Sequence, residues 1–594
     1  MSRPSEFSQM GMHMESSLQS FNTFLNNVLQ PIVDFANTYI IEIGPSVGGE
    51  TIAIMVILLL GTGLYLTVRT GFIQITRLGH GFGVTTGKYD DPDDPGDVTH
   101  FQALTTALSA TVGIGNIAGV AMAIHWGGPG ALFWMWVTAF LGMATKYSEV
   151  TLAQKYRITD EVGTVAGGPM YYIERGLGPA WKPMAIFFAV MLGFTAFFTG
   201  NAVQANTVAD QMSTFGVSPW LTGAVTAAIV GAVILGGIGR IGRVTAFLAP
   251  FMAAIYVVGA LLIIVLNVGA LPGAFTTIVT EAFNPRAGVA GVGAGVFVVT
   301  LMWGVRRGLF SNEAGQGSAP IAHAAAKTDE PVSEGVVALL EPFIDTIIIC
   351  TLTGLVIVMT GTHEQRFPTE LTLGGGDITY TAMIAGDRYE GVDAPAEVAI
   401  VNGQHSEAGL GAALVSWHEA SVSPLYVDAR QTQLFSGSVF PSRGEAVSSD
   451  GTVYSSLYGN AVENGAPLTA AAFRTGLAPI GDWGHMIVVL GVLLFGISTA
   501  ISWSYYGDRC AHYLFGQRAI LPYKAVFVLA HYMGAVLPLA VVWALGDVAL
   551  AIVIWPNLIA LILLAPVVAE ETRSYFERKP YEAMAAKRAG VSRD

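Results

Sequence analysis

The chain has 594 residues, of which 52% are apolar and only 12% are charged, and its net charge is −14. Soluble domains carry roughly 25% charged residues, so this composition excludes a soluble enzyme, a nucleic-acid-binding protein and a disordered scaffold. With 70 Gly and only two Cys, the composition is typical of a polytopic helical membrane protein and excludes a disulfide framework.

The first 47 residues contain no cleavable signal, because no basic segment is followed by an apolar run and a small-residue cleavage site. Apolar residues instead recur at helical spacing from Leu18 to Ile32. This pattern predicts that the segment 1–47 contains an amphipathic helix lying at the membrane surface.

Eleven stretches are long and apolar enough to cross a bilayer, which takes roughly 20 residues. We name the first the lead helix and the others core helices 1 to 10. They lie near 49–68, 101–124, 130–153, 182–204, 218–236, 244–267, 288–305, 335–361, 483–506, 521–545 and 548–569. The sequence therefore predicts an all-α polytopic membrane fold with two membrane segments, 48–362 (lead helix and core helices 1–7) and 482–570 (core helices 8–10).

The distribution of Lys and Arg predicts the orientation. If the tail 571–594 is cytoplasmic, 22 of the 29 basic residues lie in inner loops and seven in outer ones. Because basic residues concentrate in cytoplasmic loops, we expect an extracytoplasmic N-terminus and a cytoplasmic C-terminus in a bacterial-type inner (plasma) membrane.

Residues 363–481 do not resemble a membrane segment. The stretch 362–481 holds 13 acidic residues, five Arg and no Lys, a net charge of −8. Runs such as 377–383 and 396–401 are β-prone and are separated by Gly, Asp and Asn. A β-rich extracytoplasmic insertion and a long disordered loop are both open, and repeated Val, Ile, Tyr and Phe favour the insertion.

Core helix 1 contains the sequence Val112-Gly-Ile-Gly-Asn116, in which two Gly and an amide interrupt an apolar span. Gly lowers helix stability by about 1 kcal/mol relative to Ala, and unwound backbone at membrane depth is tolerated where it lines a cavity or is buried in protein. Such broken helices bind cations and carboxylates in transporters. Close helix packing by small residues is the alternative.

Core helix 6 repeats this feature in Thr300-Leu-Met-Trp-Gly304, with Gly308 one turn further on. Interruptions in the first and sixth core helices predict two five-helix repeats of inverted topology. Because both helices carry such an interruption, the binding site of a transporter is favoured over close helix packing as the explanation for these Gly residues.

Polar residues in three further core helices are candidates for ion or substrate contacts. Ser498 and Thr499 can bond back to their own helix or offer oxygens to a hard cation. Asn201 and Gln204 lie three residues apart, and interhelical hydrogen bonding is the alternative for them. Asp345 is a candidate for a cation or proton role, whereas Glu341 lies closer to the inner end of its span.

Five motifs resemble the alanine/glycine:cation symporters, also called sodium:alanine symporters. They are Gly304–Pro320, Ala110–Val120, Gly167–Glu174, Glu341–Thr346 and Ile501–Gly507. The resemblance covers roughly 48–362 and 466–575 and departs at about 365–463, where the loop of the family is short. It implies a leucine-transporter-type fold of five plus five helices and Na⁺-coupled symport, sometimes with H⁺, of a small neutral amino acid by alternating access.

The resemblance also implies the site residues. It places one Na⁺ between the carbonyls of Ser109, Val112 and Phe495 and the hydroxyls of Ser498 and Thr499. It implies a second cation site, which some relatives lack, at Thr111, Asn116 and Thr300. The substrate carboxylate would lie on the amides near Gly113 and Gly115, with Gln204 nearby. The residues expected to bind the substrate are Gly113, Ile114, Gly115, Asn116, Asn201, Gln204, Thr300, Trp303 and Trp503.

Bulky residues near these positions predict the size of the substrate. Trp303 stands at the predicted break in core helix 6, and Trp503 lies one turn after the two hydroxyls. Such side chains leave room for a hydrogen or a methyl group, which favours glycine or alanine.

Other classes of function are open. They are an H⁺-coupled or uncoupled amino-acid carrier and an amino-acid sensor of the same fold. No repeated filter segment indicates a channel, and no nucleophile–base pair or phosphate-binding loop indicates an enzyme or an ATP-driven pump. We expect Na⁺, a small neutral amino acid and the lipid bilayer as the partners, and neither a nucleic acid nor a protein partner is indicated.

Overall fold

The computed structural model describes residues 31, 43–47, 50–91, 94–160, 163–285, 297–374, 378–385, 388–406, 410–537 and 539–588. The surface helix predicted over 18–32 lies outside these residues except for Pro31. The described part of the chain consists of a helical body and one strand-rich segment, Arg366–Val462.

The helices of the body form because long apolar stretches are interrupted only by Gly, Pro and short polar turns. Before the strand-rich segment they are α1 Ile54–Arg69, α2 Ile73–Thr76, α3 Leu78–Thr85, α4 His100–Thr111, α5 Val120–Gly127, α6 Ala131–Lys155, α7 Pro169–Gly176, α8 Lys182–Phe197, α9 Val203–Ser213, α10 Pro219–Ile234, α11 Gly237–Leu266, α12 Leu271–Glu281, α13 Phe297–Asn312, α14 Ala319–His323, α15 Pro331–Ala338, α16 Leu340–Pro342 and α17 Thr351–Thr360. After it they are α18 Gly465–Leu477, α19 His485–Phe515, α20 Ile520–Gly534, α21 Leu539–Arg578 and α22 Pro580–Arg588. Three π-helical turns, Gly115–Gly119, Phe198–Ala202 and Phe343–Cys350, join α-helices into longer spans.

Among the described residues, five helices are long and apolar enough to cross a membrane, and one bent pair forms a sixth such span. The five are Pro179–Ser213, Gly237–Leu266, Pro331–Thr360, His485–Phe515 and Val548–Arg578. The bent pair is α4 with Gly115–Gly127, and the two parts meet at 52°. Two shorter apolar helices, Ile54–Arg69 and Pro219–Ile234, also coincide with predicted spans.

The predicted boundary between core helices 9 (521–545) and 10 (548–569) is wrong. Core helix 9 was expected over 521–545, but α20 ends at Gly534, and a single helix then runs from Leu539 to Arg578. A turn at 535–537 separates them, and Gly534 packs so closely against Ala202 that a methyl group there would lie 2.6 Å from the Ala202 Cα atom. The apolar composition continues through this turn, so hydropathy alone could not locate it.

The strand-rich segment forms three antiparallel sheets around its own apolar core, which includes Leu371, Val415, Phe435 and Leu457. Two short hairpins outside this segment pair β1 Ser46–Val47 with β2 Glu50–Thr51 and β3 Ile158–Thr159 with β4 Val165–Ala166. The strands of the segment are β5 Arg366–Thr372, β6 Ile378–Ala385, β7 Arg388–Gly391, β8 Val398–Val401, β9 Gln404–His405, β10 Ala413–Trp417, β11 Ala420–Ser421, β12 Leu425–Tyr426, β13 Gly437–Phe440, β14 Glu445–Ser448, β15 Val453–Tyr454 and β16 Ser456–Val462. The three sheets have the orders β11-β10-β6-β7, β12-β16-β5 and β15-β14-β13-β8-β9. The first and last strands of the segment pair with each other, Arg366 opposite Val462, so it begins and ends at one place.

The end of the predicted 363–481 insertion is helical and belongs to the helical body. The Asn464 side chain accepts a hydrogen bond from the Gly465 amide at the start of α18, and an Ala-rich sequence follows. The Thr469 hydroxyl donates to the Ile117 carbonyl at 2.9 Å. Helix α18 therefore packs against the π-helical turn of the broken first core helix.

Candidate functional site

The predicted break in core helix 1 is confirmed. Helix α4 ends at Thr111, and the chain resumes as a π-helical turn at Gly115. The Asn116 side chain accepts a hydrogen bond from the Gly113 amide at 2.8 Å and so satisfies one backbone donor that the break releases. All residues from Val112 to Asn116 are buried, so this unwound backbone lies inside the protein, where it can be tolerated at membrane depth.

Helix α19 brings its two hydroxyls to this break. The Thr499 hydroxyl lies 3.1 Å from the Ser109 carbonyl oxygen, and the Ser498 hydroxyl lies 3.4 Å from the same oxygen. Ser498 also lies 3.0 Å from the Phe495 carbonyl oxygen. Four of the five predicted Na⁺ ligands therefore meet in one buried cluster, which we call the α4–α19 oxygen cluster (Ser109, Phe495, Ser498 and Thr499).

The fifth predicted ligand, Val112, is the buried residue at the break itself, next to Gly113. A methyl group on Gly113 would lie 2.7 Å from the Thr499 hydroxyl oxygen, so Gly allows the break to approach α19. The Ser109 hydroxyl is fully buried and has no hydrogen-bond partner in the part of the chain that the structure describes, which adds an unsatisfied oxygen to the cluster. Hydroxyl and carbonyl oxygens are ligands that suit a hard cation such as Na⁺.

The predicted break in core helix 6 is wrong in position. Helix α13 continues through Thr300–Gly304 to Asn312, and the chain leaves the helix only at Glu313–Ser318. Gly304 and Gly308 serve packing instead: a methyl group on Gly304 would lie 2.4 Å from the Ala131 carbonyl oxygen of α6. Small residues let two membrane helices approach closely, and this was the alternative explanation for those Gly.

The observed interruption of core helix 6 lies further along the chain, at Glu313–Ser318. Glu313, Gly315 and Gly317 all have positive φ angles (56°, 90° and 76°), and a short helix, α14, follows. The sequence signal was the Gly315-Gln-Gly317 spacing, which lies in a motif used only for the family resemblance. The two interruptions are close together, since a methyl group on Gly115 would lie 3.3 Å from the Ser311 Cα atom.

The predicted second cation site is not assembled. The Thr300 hydroxyl donates to the Gly127 carbonyl at 2.7 Å, eleven residues along the chain from Asn116. The Thr111 hydroxyl donates back to the Ala107 carbonyl of its own helix at 3.2 Å. Thr300 is separated from the break because core helix 6 is interrupted later than expected.

Asn116 instead meets a carboxylate. Its amide group donates to Asp345 Oδ1 at 2.6 Å, and the hydroxyls of Ser311 and Thr346 each donate to Asp345 Oδ2 at 2.7 Å. These four side chains, which we call the Asp345 cluster, are all buried with no measurable exposure. Sequence analysis had singled out Asp345 and Asn116 separately, but it missed Ser311 and Thr346.

Trp503 contacts the second interruption. Its indole nitrogen donates to Glu313 Oε1 at 2.9 Å, and the Ser318 hydroxyl donates to Glu313 Oε2 at 2.5 Å. The indole ring also packs against Gly200, where a methyl group would lie 2.3 Å from the Trp503 Cγ atom. Trp503 therefore stands between the π-helical turn Phe198–Ala202 and the second interruption.

Gln204 lies near the first break, whereas Asn201 faces away from it. The Gln204 carbonyl oxygen and the Ile114 side chain both lie beside Gly496 of α19, and Gln204 Oε1 is buried without a hydrogen-bond partner. The Asn201 amide group donates to the Phe527 carbonyl, and its oxygen lies 2.7 Å from His531 Nδ1, both on α20. Asn201 thus has the interhelical role that was the alternative explanation for it.

Trp303 lies beside Thr300, since a methyl group on Gly127 would lie 3.0 Å from the Trp303 Cβ atom and 3.4 Å from the Thr300 Cα atom. Its ring stacks on Trp126 with centroids 5.8 Å apart, near the end of α5. The His125 imidazole there contacts the His418 carbonyl oxygen of the strand-rich segment at 3.0 Å. Trp303 therefore lies where the helical body meets the strand-rich segment, not beside Trp503.

The chain is similar to known proteins along most of its length. A family model described as the sodium:alanine symporter family matches residues 37–385 and 406–588. The unmatched stretch 386–405 is much shorter than the departure predicted over about 365–463. The sodium/alanine symporter AgcS of Methanococcus maripaludis is 41% identical over 533 residues, which are 89% of this chain and 95% of that protein.

Two relatives from Bacillus subtilis are also similar along most of their length. The putative sodium/proton-dependent alanine carrier protein YrbD is 32% identical over 86% of this chain and 87% of its own. The probable sodium/glutamine symporter GlnT is 30% identical over 89% of this chain and 88% of its own. The crystal structure of MhsT in complex with L-phenylalanine superposes with a TM-score of 0.45 and 10% identity, over 80% of this chain and 98% of that one.

Proposed function

Because this chain belongs to the sodium:alanine symporter family, we propose that it couples the inward movement of Na⁺ to the symport of a small neutral amino acid, alanine or glycine. The observation that carries this proposal is the meeting of three features at one buried place. They are the broken first core helix, the α4–α19 oxygen cluster and the Asp345 cluster.

The α4–α19 oxygen cluster is the proposed Na⁺ site. Its atoms come from α4, which ends at the break, and from α19, which is continuous. A cation bound to both would hold the two helices together, and its release would allow them to separate. Differential cation binding of this kind is what a coupled transporter needs, because a ligand shifts a conformational equilibrium only by its difference in affinity for the two states.

The substrate carboxylate is proposed to bind the amides of the first break at Ile114 and Gly115, next to Gly113, whose own amide donates to Asn116 Oδ1, with Gln204 beside them. A half-helix N-terminus at membrane depth offers unsatisfied N–H groups to an anion. Gln204 Oε1 is buried and has no hydrogen-bond partner among the described residues, so it is proposed as an acceptor for the ammonium group of the substrate. Asn201, Thr300, Thr111 and Trp303 are not part of the proposed site, because each is committed to another contact.

A second cation or proton is proposed to bind at the Asp345 cluster instead of at Thr300. The Asp345 carboxylate accepts hydrogen bonds from three neutral side chains. An ionised buried carboxylate is costly unless a cation compensates its charge. The alternatives are an H⁺-coupled carrier, in which a proton neutralises Asp345, an uncoupled carrier and an amino-acid sensor.

We further propose eleven membrane spans in two inverted five-helix repeats, with the strand-rich segment outside the cell and the C-terminus in the cytoplasm. The excess of basic residues on one side supports this orientation. Cysteine labelling tests it with exposed positions: Asp450→Cys in the strand-rich segment should react in intact cells, and Ala583→Cys should react only after permeabilisation. Labelling of both from outside would contradict the orientation.

Counterflow in proteoliposomes tests the function. Vesicles preloaded with unlabelled alanine should exchange it for labelled alanine rapidly with Na⁺ present and slowly with choline in its place. Equal exchange in both media would indicate an uncoupled carrier, and no exchange in either would indicate a sensor.

A further inference from the structure

A row of ionisable side chains leads from the protein surface into the helical body, on the face where the C-terminal helix lies. It begins at Asp90, whose side chain is 36% exposed. His100 Nε2 lies 3.9 Å from Asp90 Oδ1, and His100 Nδ1 is hydrogen-bonded to Glu334 Oε2. His100 and Glu334 are buried, so the exposed carboxylate connects to groups that water does not reach directly.

The row continues inward through a second imidazole. His323 Nδ1 lies 2.5 Å from Glu334 Oε1, and His323 Nε2 lies 3.6 Å from Glu341 Oε2. The other oxygen of Glu341 accepts a hydrogen bond from the Lys146 ammonium group at 2.9 Å. The side chains of His323, Glu334, Glu341 and Lys146 have no measurable exposure. We call the set Asp90, His100, Glu334, His323, Glu341 and Lys146 the buried ion row.

Each imidazole of the row stands between two carboxylates. An imidazole with one nitrogen toward each of two acceptors can take up a proton at one nitrogen and release it from the other. Glu334 sits between the two imidazoles and uses one oxygen for each. The row therefore alternates carboxylate and imidazole from its exposed end at Asp90. Its links at 3.9 Å and 3.6 Å are longer than hydrogen bonds, so proton transfer across them requires a small movement of the side chains.

Within the row, the buried carboxylates of Glu334 and Glu341 and the partly exposed carboxylate of Asp90 face two imidazoles and the Lys146 ammonium group. With neutral imidazoles, Lys146 is the one cation of the row, and it bonds to Glu341 and not to Glu334. Uncompensated buried charge is strongly destabilising, so the packed arrangement itself favours the protonated form.

Neighbouring charged groups also act on the charges of the row. Glu149 and Glu313 lie close enough to Lys146 to interact with it electrostatically, and both are carboxylates. Arg157 adds a positive charge that interacts with Glu334, and its guanidinium group donates to the backbone carbonyls of Ala324 and Ala326. The two neighbouring carboxylates favour the protonated imidazoles, whereas Arg157 opposes them.

We propose that His100 and His323 form a proton-binding site that equilibrates with the face carrying Asp90, and that proton binding there regulates transport. This inference rests on the proposed function and orientation, which make that face cytoplasmic. His100 opens α4, which ends at the first break, and His323 closes α14, which follows the second interruption. Loss of the two protons weakens the packing of α4 and α14 on α15 and favours opening of this face.

Transport measurements with separate control of the two pH values test the proposal. In right-side-out membrane vesicles, external pH is held constant and internal pH is stepped between about 6.5 and 9. His323 titrates in this range because the carboxylates of Glu334 and Glu341 outweigh the effect of burial and raise the pKa of His323 to about 9. The initial rate of Na⁺-driven alanine uptake should rise about threefold in the wild type as internal pH rises. His100→Gln and His323→Gln should flatten this dependence, because the glutamine amide cannot carry the proton.

His80→Gln is the matched control. His80 lies on the same face and contacts the Tyr575 hydroxyl at 3.0 Å, outside the buried ion row. Burial, assisted by Arg77 and Lys88, lowers the pKa of His80 to about 4, so this imidazole stays neutral over the tested range. The His80 variant should therefore keep the internal-pH dependence of the wild type.

An internal-pH dependence that is the same in the wild type and in both His variants, or that is missing in the wild type, would overturn the proposal. A wild type without any Na⁺-driven uptake would instead refute the proposed function. In that event, the melting temperature of the purified protein still tests whether His100 and His323 bind protons. It should fall as pH rises from about 6.5 to 9, because the folded state holds the protons, and His100→Gln/His323→Gln should remove that slope. An unchanged slope would refute the proton site.

Discussion

The Thr499 hydroxyl and the Ser109 carbonyl oxygen lie 3.1 Å apart, where the broken first core helix meets the continuous helix α19. Ser109 belongs to the last turn of α4, and Thr499 lies in the middle of α19. The contact therefore joins α4, which ends at the break, to α19, which is a continuous helix. A cation at this place would control the position of α4 more than that of α19.

Thr499→Ala is expected to weaken Na⁺ activation more than maximal transport. A lost hydroxyl ligand lowers cation affinity, and saturating Na⁺ restores binding by mass action. We expect the Na⁺ concentration for half-maximal uptake to rise about tenfold, which corresponds to ~1.4 kcal/mol. Ser504→Ala is the control, since the Ser504 hydroxyl donates only to the Ile501 carbonyl of the same helix, at 2.7 Å. An unchanged Na⁺ dependence in Thr499→Ala would mean that Thr499 only bonds between helices.

Asn116→Ala is expected to be more damaging than Thr499→Ala. It removes the acceptor for the Gly113 amide and a donor to Asp345 at a place without access to solvent. A buried group left without its partner costs about 1–3 kcal/mol. Cys350→Ala is the control, because its sulfur lies 3.3 Å from the Asn116 amide but is a weak acceptor. Uptake kinetics and thermal stability of both variants are the measurements, and equal effects would argue against a special role of Asn116.

Asp345→Asn tests the second cation site. The asparagine keeps the size of the side chain but removes its charge. If a cation binds there, the dependence of uptake on Na⁺ or H⁺ concentration should become less steep, because one coupled ion is lost. If uptake by Asp345→Asn depends on ion concentration as steeply as uptake by the wild type, Asp345 is only a structural acceptor for Ser311 and Thr346.

Trp503→Ala is expected to widen the substrate range toward valine and leucine while alanine binds more weakly. Trp503 stands between Gly200 and Glu313, so its removal opens space between two interrupted helices. A pocket gains only about 1–3 kcal/mol of discrimination per methylene, so steric exclusion should account for most of the selectivity. Trp303→Ala, whose ring stacks on Trp126, should not shift the ratio of leucine to alanine uptake. A shift in Trp303→Ala alone would place the pocket wall elsewhere.

Deletion of 370–460 with a short Gly/Ser linker should leave Na⁺-driven uptake measurable. The ends to be joined, Thr369 and Ala461, are close together, since Ala461 pairs with Phe367 across β5 and β16. The segment has its own apolar core, so its removal exposes little of the helical body. The contact between His125 and the His418 carbonyl would be lost. Abolished uptake in a deletion variant that still folds would make the hairpin at His418 a gate.

The sequence predicted the features that depend on composition and on local interruption. Apolar stretches coincide with the six candidate spans found among the described residues, and the Val112-Gly-Ile-Gly-Asn116 motif located the first break. Both depend on residues that are close in the chain: a run of apolar side chains, and two Gly with a capping amide. The α4–α19 oxygen cluster was reached only through the family resemblance, because nothing local indicates that Ser109 and Thr499 meet.

The errors have physical causes. Thr300–Gly304 has the same composition as a broken helix, but Gly304 lies against α6, and only the partner helix reveals this. The true interruption needs positive φ angles at Glu313 and two Gly, and a Glu in that conformation has no sequence signal. The Asp345 cluster and the buried ion row join side chains from three or more helices, so they depend on packing.

Accumulation of alanine in proteoliposomes under an imposed Na⁺ gradient tests the central claim most directly. With no other gradient present, inward Na⁺ should drive alanine above its external concentration, and a Na⁺ ionophore should abolish this accumulation. Thr499→Ala should accumulate less at low Na⁺ and approach the wild type at high Na⁺. Alanine that only equilibrates, at the same rate with and without the Na⁺ gradient, would contradict the account.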